Sequence, residues 1–186
     1  MNRASIATLS IFVLCATLLP TLASAQATAK PPVTSASGAA PKALGPAFRD
    51  WVAYTMEDNG KTICFIVSQP KSKTLSDPKA QRGDPFVLVT RWSPGAALQP
   101  SLIMGYPQAS DQKATVKIGN DSFDLFVDGD GAWMDSESGD KKLVDAMRKG
   151  STMTVTGQSS RGTKSTDRYS LAGISAALDK LAATCK

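Results

Sequence analysis

The chain has no histidine, and that absence excludes more chemistry than any residue present suggests. Ser-His-Asp and Cys-His nucleophile systems, histidine general bases and histidine metal sites are ruled out in their usual forms. Charge of one sign forms no long block, and the formal net charge of +5 is modest; nucleic-acid binding is disfavoured on that ground and on the export signal described next. The longest apolar run, Ile6 to Leu19, covers about 14 residues, short of the roughly 20 that a membrane span requires. No internal repeat is present.

What is there begins with a processing signal. Arg3 precedes the apolar run, Pro20 breaks it, and Ala23-Ser24-Ala25 supplies an A-x-A cleavage site, so residues 1–25 read as a cleaved signal peptide. Cys15 lies inside the run behind Phe12-Val13-Leu14, without the small residue that precedes a lipidated cysteine. Cleavage removes Arg3 and Cys15, leaving a formal charge of +4 and two cysteines, Cys64 and Cys185. Residues 26–47 are Ala, Pro, Ser and Thr with hardly a large apolar side chain, and burial cannot offset their ordering entropy. They are expected to form a flexible linker, with one domain over residues 48–186.

From Phe48 the pattern is β. Trp51 to Thr55 reads as a short strand, and Thr62 to Val67 is apolar on both faces, the mark of a strand buried between layers. Pro70 to Pro85 reads as a polar loop. Strands are expected over Phe86 to Trp92, Ser101 to Tyr106, Thr115 to Ile118, Phe123 to Val127 and Ala132 to Met134, with turn signals between them. Short strands at such intervals indicate a sandwich or barrel.

The last third carries the clearest signals. Leu143, Val144 and Met147 mark one side of a short helix, and Gly150 after Arg148 and Lys149 reads as its left-handed cap. Ser151 to Gln158 then alternates, with Met153 and Val155 on one face and Thr152, Thr154 and Thr156 on the other. A Ser159-Ser160-Arg161-Gly162 turn leads into a return strand over Thr163 to Leu171. Ile174, Leu178, Leu181 and Cys185 share one face of a closing helix.

These C-terminal elements, with Trp51 and with Cys64 followed by Ser68-Gln69-Pro70, resemble the invasion-associated locus B family of bacterial exported proteins over Phe48 to Cys185. The resembling pieces are Ala146-Met147-Arg148-Lys149-Gly150, Arg161-Gly162-Thr163, Tyr169-Ser170-Leu171-x-Gly173 and Ala176-Ala177-Leu178. The longer members' additional mid-chain cysteine pair is missing, so any role of that pair does not transfer. The resemblance implies a mainly β, immunoglobulin-like antiparallel β-sandwich, with two short helices near the C-terminus, in a protein linked to invasion or virulence. It supplies no catalytic motif and no cofactor. It places a cysteine at each of Cys64 and Cys185, and with an oxidising destination for the exported chain these two are expected to form a structural disulfide.

Four patterns bear on chemistry. Ser68-x-x-Lys71 and Ser138-x-x-Lys141 spell the S-x-x-K of penicillin-binding enzymes but lack its companion triplets, and read as chance. Asp128, Asp130, Asp135 and Glu137 surround a glycine-rich turn, yet a calcium loop counted from Asp128 meets Trp133 and Gly139 where glycine and glutamate are required. A solvated hairpin is the reading there. Arg82-Gly83-Asp84 is an integrin-type tripeptide that leads straight into a strand. Arg161, Lys164 and Arg168, interleaved with Ser159, Ser160, Thr163, Ser165 and Thr166, form a basic hydroxyl-rich hairpin able to meet phosphate or an acidic glycan.

The sequence thus predicts a non-enzymatic periplasmic or secreted protein that works by contact with an unidentified protein or an envelope or host-surface component. The second reading is a binding module for an anionic glycan or lipid headgroup through residues 159–168. No metal or cofactor is called for, and no transmembrane span remains after cleavage.

Overall fold

A computed structural model describes residues 40–186. The expected signal peptide and the first part of the expected linker, residues 26–39, lie outside the described residues. Eleven strands and two helices follow: β1 (Lys42–Ala43), β2 (Val52–Asp58), β3 (Lys61–Ser68), β4 (Ser72–Leu75), β5 (Phe86–Arg91), β6 (Gln99–Ile103), β7 (Ala114–Ile118), β8 (Asp121–Asp128), β9 (Gly131–Trp133), α1 (Glu137–Lys149), β10 (Thr152–Gln158), β11 (Lys164–Ser170) and α2 (Ile174–Thr184).

All the strand pairs are antiparallel, in the order β1-β2-β3-β5-β6-β9-β8-β7-β10-β11-β4. The layers are halves of one sheet, and β8 belongs to both. Its residues Asp121 to Leu125 pair with β7, and Phe126 to Asp128 pair with β9. Inward side chains of the two halves meet in one core: Trp51, Cys64, Ile66 and Val89 from the first, Val116, Leu125, Met153, Val155 and Tyr169 from the second. The antiparallel sandwich with two helices near its C-terminus, expected from the sequence, is what the chain forms.

β3 is buried on both faces, as its composition requires. Cys64 and Ile66 enter the main core, while Phe65 and Val67 join Val52, Tyr54, Phe86 and Leu88 in a second cluster on the other side of the first layer. The Tyr54 and Phe65 rings stack there with centroids 5.5 Å apart.

The helices complete the main core. Ser136 caps α1, its hydroxyl accepting from the Gly139 N–H at 3.2 Å. Leu143, Val144 and Met147 face inward. Helix α2 packs against β2 and β3, buries Ile174, Leu178 and Leu181, and ends at Cys185. That cysteine is bonded to Cys64, with Cα atoms 6.4 Å apart, within the normal disulfide range.

Three local readings change. Gly150 is extended, at φ −80° and ψ 166°, and is no left-handed cap. Glycine is required because a Cβ there would overlap Ile118 Cγ2 and come within 3.0 Å of Leu171 Cδ1. The loop expected over residues 70–85 contains the edge strand β4, whose backbone pairs with β11; its polar composition reflects an outer edge with little to bury. The end of the expected linker contributes β1, with Lys42 opposite Thr55 and Leu44 packed against the core. Residues on both sides of it are loop, and pairing with the β2 edge is what orders it.

Candidate functional site

Alternation along the β10–β11 hairpin sends its residues to two different places. Ser165, Asp167 and Tyr169 point inward and are buried, while Lys164, Thr166 and Arg168 point outward and are exposed. Met153 and Val155 likewise enter the core, leaving Thr152, Thr154 and Thr156 outside.

Register then aligns the outward residues of five strands into rows. One row runs Thr74, Thr166, Thr156, Thr115 and Asp124, each the direct partner of the next. The neighbouring row runs Ser72, Arg168, Thr154, Lys117 and Ser122. Adjacent strands lie about 4.8 Å apart and same-face neighbours along a strand about 6.8 Å apart. The outcome is an outward grid of hydroxyls carrying three cations, Lys117, Lys164 and Arg168. Among the described residues none of these three makes an ion pair. The acidic member of the first row, Asp124, is held by the Thr115 hydroxyl, which donates at 3.3 Å, and by Lys113 at 3.9 Å.

The inward face of the same hairpin is locked. The Asp167 carboxylate, with no exposed surface, accepts both guanidinium arms of Arg82, one at 2.8 Å and the other shorter. Arg82 also donates to the Met104 carbonyl at 3.3 Å and lies 5.8 Å from the Tyr106 ring centre. Tyr106 and Ser165 share a 2.5 Å hydrogen bond between hydroxyls. Burial works against the Arg82 charge, but the hydrogen bonds and charge of Asp167 hold its pKa above the ordinary value. Burial raises the Tyr106 pKa, with the Ser165 hydrogen bond and Arg82 opposing. Glycine at position 157 makes room for this network, since a Cβ would come within 3.0 Å of Tyr106 Oη and 2.9 Å of Met104 Cε. This network fixes β11 from below while its outer face stays free.

The three basic residues singled out in the sequence are therefore not one cluster. Lys164 and Arg168 share the outer face, about 13 Å apart along the strand. Arg161 sits in the hairpin turn and lines a cleft with Lys79, Tyr106, Ser159 and Thr163. Lys117, two strands from Arg168, is the cation that sequence reasoning missed, because only register brings it beside Thr154. The Arg82–Asp167 pair was missed too. An aspartate in the inward phase of an alternating strand was the available signal, since a buried carboxylate needs a cation or donors.

The other patterns resolve plainly. Arg82 is committed to Asp167 and buried, and Gly83 packs on the Gly105 backbone, so the arginine of Arg82-Gly83-Asp84 is not displayed at the surface. Ser68 is buried and donates to the Gln69 carbonyl, while Lys71 pairs with Asp50. Lys141 is held by Asp145 at 2.7 Å. Neither S-x-x-K is a serine–lysine pair. Asp128 and Asp130 flank Gly129, at φ 58°, in the β8–β9 turn, and Glu137 lies in the first turn of α1.

Comparison with known proteins places this geometry in context. A search of curated proteins finds no match. A solved structure similar to the chain is that of invasion associated protein B from Bartonella henselae, 16% identical, covering 72% of this chain and 92% of that one, with a TM-score of 0.49. No residue is carried over at that distance. The family described as Invasion associated locus B (IalB) protein matches residues 51–182, well over half the chain and spanning β2 to α2. The chain belongs to the invasion-associated locus B family.

Proposed function

We propose that this is an exported, non-enzymatic contact protein of the invasion-associated family, and that its contact is with an anionic component of an envelope or host surface. The observation that carries this is the pairing state of the second layer's outer face. Lys117, Lys164 and Arg168 stand exposed with no described carboxylate within ion-pairing range, whereas the cation beneath them, Arg82, is fully committed. Unpaired cations on a rigid sheet supply charge without further ordering of backbone.

Export rests on the signal-type N-terminus and suits the Cys64–Cys185 bond, which persists in an oxidising compartment. Among the described residues no helix is long and apolar enough to cross a membrane. Two measurements test the proposal. Intact mass of the exported protein should begin at or close to Gln26, and a mass retaining Met1 would sink the export reading. Adsorption of the purified protein to cell surfaces should be displaced by a soluble polyanion and by high salt; adsorption indifferent to both would remove the anionic contact.

A further inference from the structure

We infer that the outer face of the second layer binds an extended acidic polysaccharide laid across the strands along its two rows. The inference rests on the anionic contact proposed above and names the ligand class. Three observations carry it beyond charge alone.

The first is the ladder of hydroxyls. Thr74, Thr166, Thr156 and Thr115 are direct partners on four adjacent strands, so their side chains recur about every 4.8 Å. The Thr74, Thr166 and Thr156 hydroxyls can each donate and accept, and that of Thr115, which donates to Asp124, can still accept; this suits a ligand presenting sugar hydroxyls in series. A compact anion such as phosphate would use one or two of them and leave the rest idle.

The second is the spacing of charge. Arg168 and Lys117 lie in the neighbouring row with Thr154 between them, about 9.6 Å apart. That is comparable to the repeat of a disaccharide, so a polymer with one sulfate or carboxylate per disaccharide meets one cation at each repeat. Five strands span about 19 Å, room for several sugars in line.

The third is the rim. Phe126 follows two residues beyond Asp124, where β8 leaves β7 and pairs with β9, is 49% exposed, and rests 5.8 Å from the Trp133 ring. An exposed ring at the end of a polar row offers a stacking surface for the apolar face of a sugar. A bilayer contact would instead gain from apolar side chains inserted at several points, and the two rows hold none.

The test uses the exported protein with a size-defined series of heparin-derived oligosaccharides, inorganic sulfate, and phosphatidylglycerol vesicles. Affinity should rise with oligosaccharide length and level off once the five strands are spanned, and sulfate at matched charge should not compete. Thr156→Val with Thr166→Val keeps β-branched residues on the strands and should weaken oligosaccharide binding several-fold at unchanged melting temperature. Phe126→Ser should weaken it too. Changing Lys117, Lys164 and Arg168 together to Ser should lower affinity roughly tenfold or more. Loss of binding in that cation variant, with no length dependence and no effect of the threonine changes, keeps the anionic contact and overturns the polysaccharide. Binding to vesicles alone overturns it in favour of lipid. No binding by the unaltered protein to either the oligosaccharides or the vesicles overturns both.

Discussion

Arg82 reaches Asp167 across 85 positions of sequence and joins the loop before β5 to the middle of β11 through two hydrogen bonds inside the protein. The Arg82 side chain is 6% exposed and that of Asp167 not at all, so neither charge is left to water. Breaking such a pair strands the remaining charge, at a cost of about 3 to 5 kcal/mol. A domain of this kind has roughly 5 to 15 kcal/mol in all. Arg82→Ala should therefore lower the urea midpoint severely, and Arg82→Lys should lower it as well because the two-armed geometry is lost. Replacing both partners by apolar residues of similar volume should restore much of the loss. A midpoint unchanged in Arg82→Ala would contradict the assignment.

The Cys64–Cys185 bond closes a loop of 121 residues and ties the end of α2 to the centre of the first layer. Cross-linking so long a loop stabilises by about 2 to 5 kcal/mol. Cys64→Ser or Cys185→Ser should reduce stability by about that amount and speed amide exchange in α2 first, since Cys185 terminates that helix. The outer face of β10 and β11 should bind as before. Peptide mapping of the exported protein without reductant checks the pairing, and two free thiols would refute it.

Asp140 provides a pH signature. It is buried in the first turn of α1, and Oδ1 has no hydrogen-bond partner among the described residues. Burial, with a smaller push from the Glu137 charge, raises its pKa to about 6. Between the ordinary value near 4 and about 6 the folded state holds the proton more tightly than the unfolded state. This group's contribution to stability is thus present at low pH and lost as pH rises through about 6. Asp140→Asn should raise the melting temperature at pH 7.5 and change it little at pH 4.5. Equal shifts at both would show that Asp140 does not titrate in this way.

Gly150 tests the packing of α1 against the second layer. Its backbone angles suit any residue, so the cost of Gly150→Ala is steric. Overlap with Ile118 and Leu171 should cost about 1 to 3 kcal/mol, read from chemical denaturation. A neutral change would mean that the space is larger than described.

Sequence alternation was a sound guide wherever one strand or helix decides its own faces. It located β3 as buried on both sides, the β10–β11 hairpin, and the inward face of α2 down to Cys185. What it could not show depends on neighbours. β4 looked like loop because an edge strand of Ser-Lys-Thr-Leu has little to bury and is defined by its hydrogen bonds to β11. Gly150 looked like a cap because helix-ending glycines usually are, and only Ile118 and Leu171 reveal the other reason. The candidate site was half legible for the same cause. Lys164 and Arg168 stood out in one hairpin, while Lys117 and the threonines of β4 and β7 join them only through register.

The central claim is that the outer face of β4, β11, β10, β7 and β8 is the contact surface and that its unpaired cations drive the contact. It is tested most directly by the salt dependence of binding to a heparin-derived oligosaccharide long enough to span the five strands. The unaltered protein is compared with one in which Lys117, Lys164 and Arg168 are changed to Ser, and with Arg161→Ser, which sits in the hairpin turn outside the strands. Exposed ionic contacts weaken as the screening length shortens, so the unaltered protein should lose affinity steeply with salt. The triple variant should bind weakly with a shallow slope at an unchanged melting temperature, and Arg161→Ser should behave nearly as the unaltered protein does. A triple variant that matches the unaltered protein in affinity and slope at low salt would contradict the account.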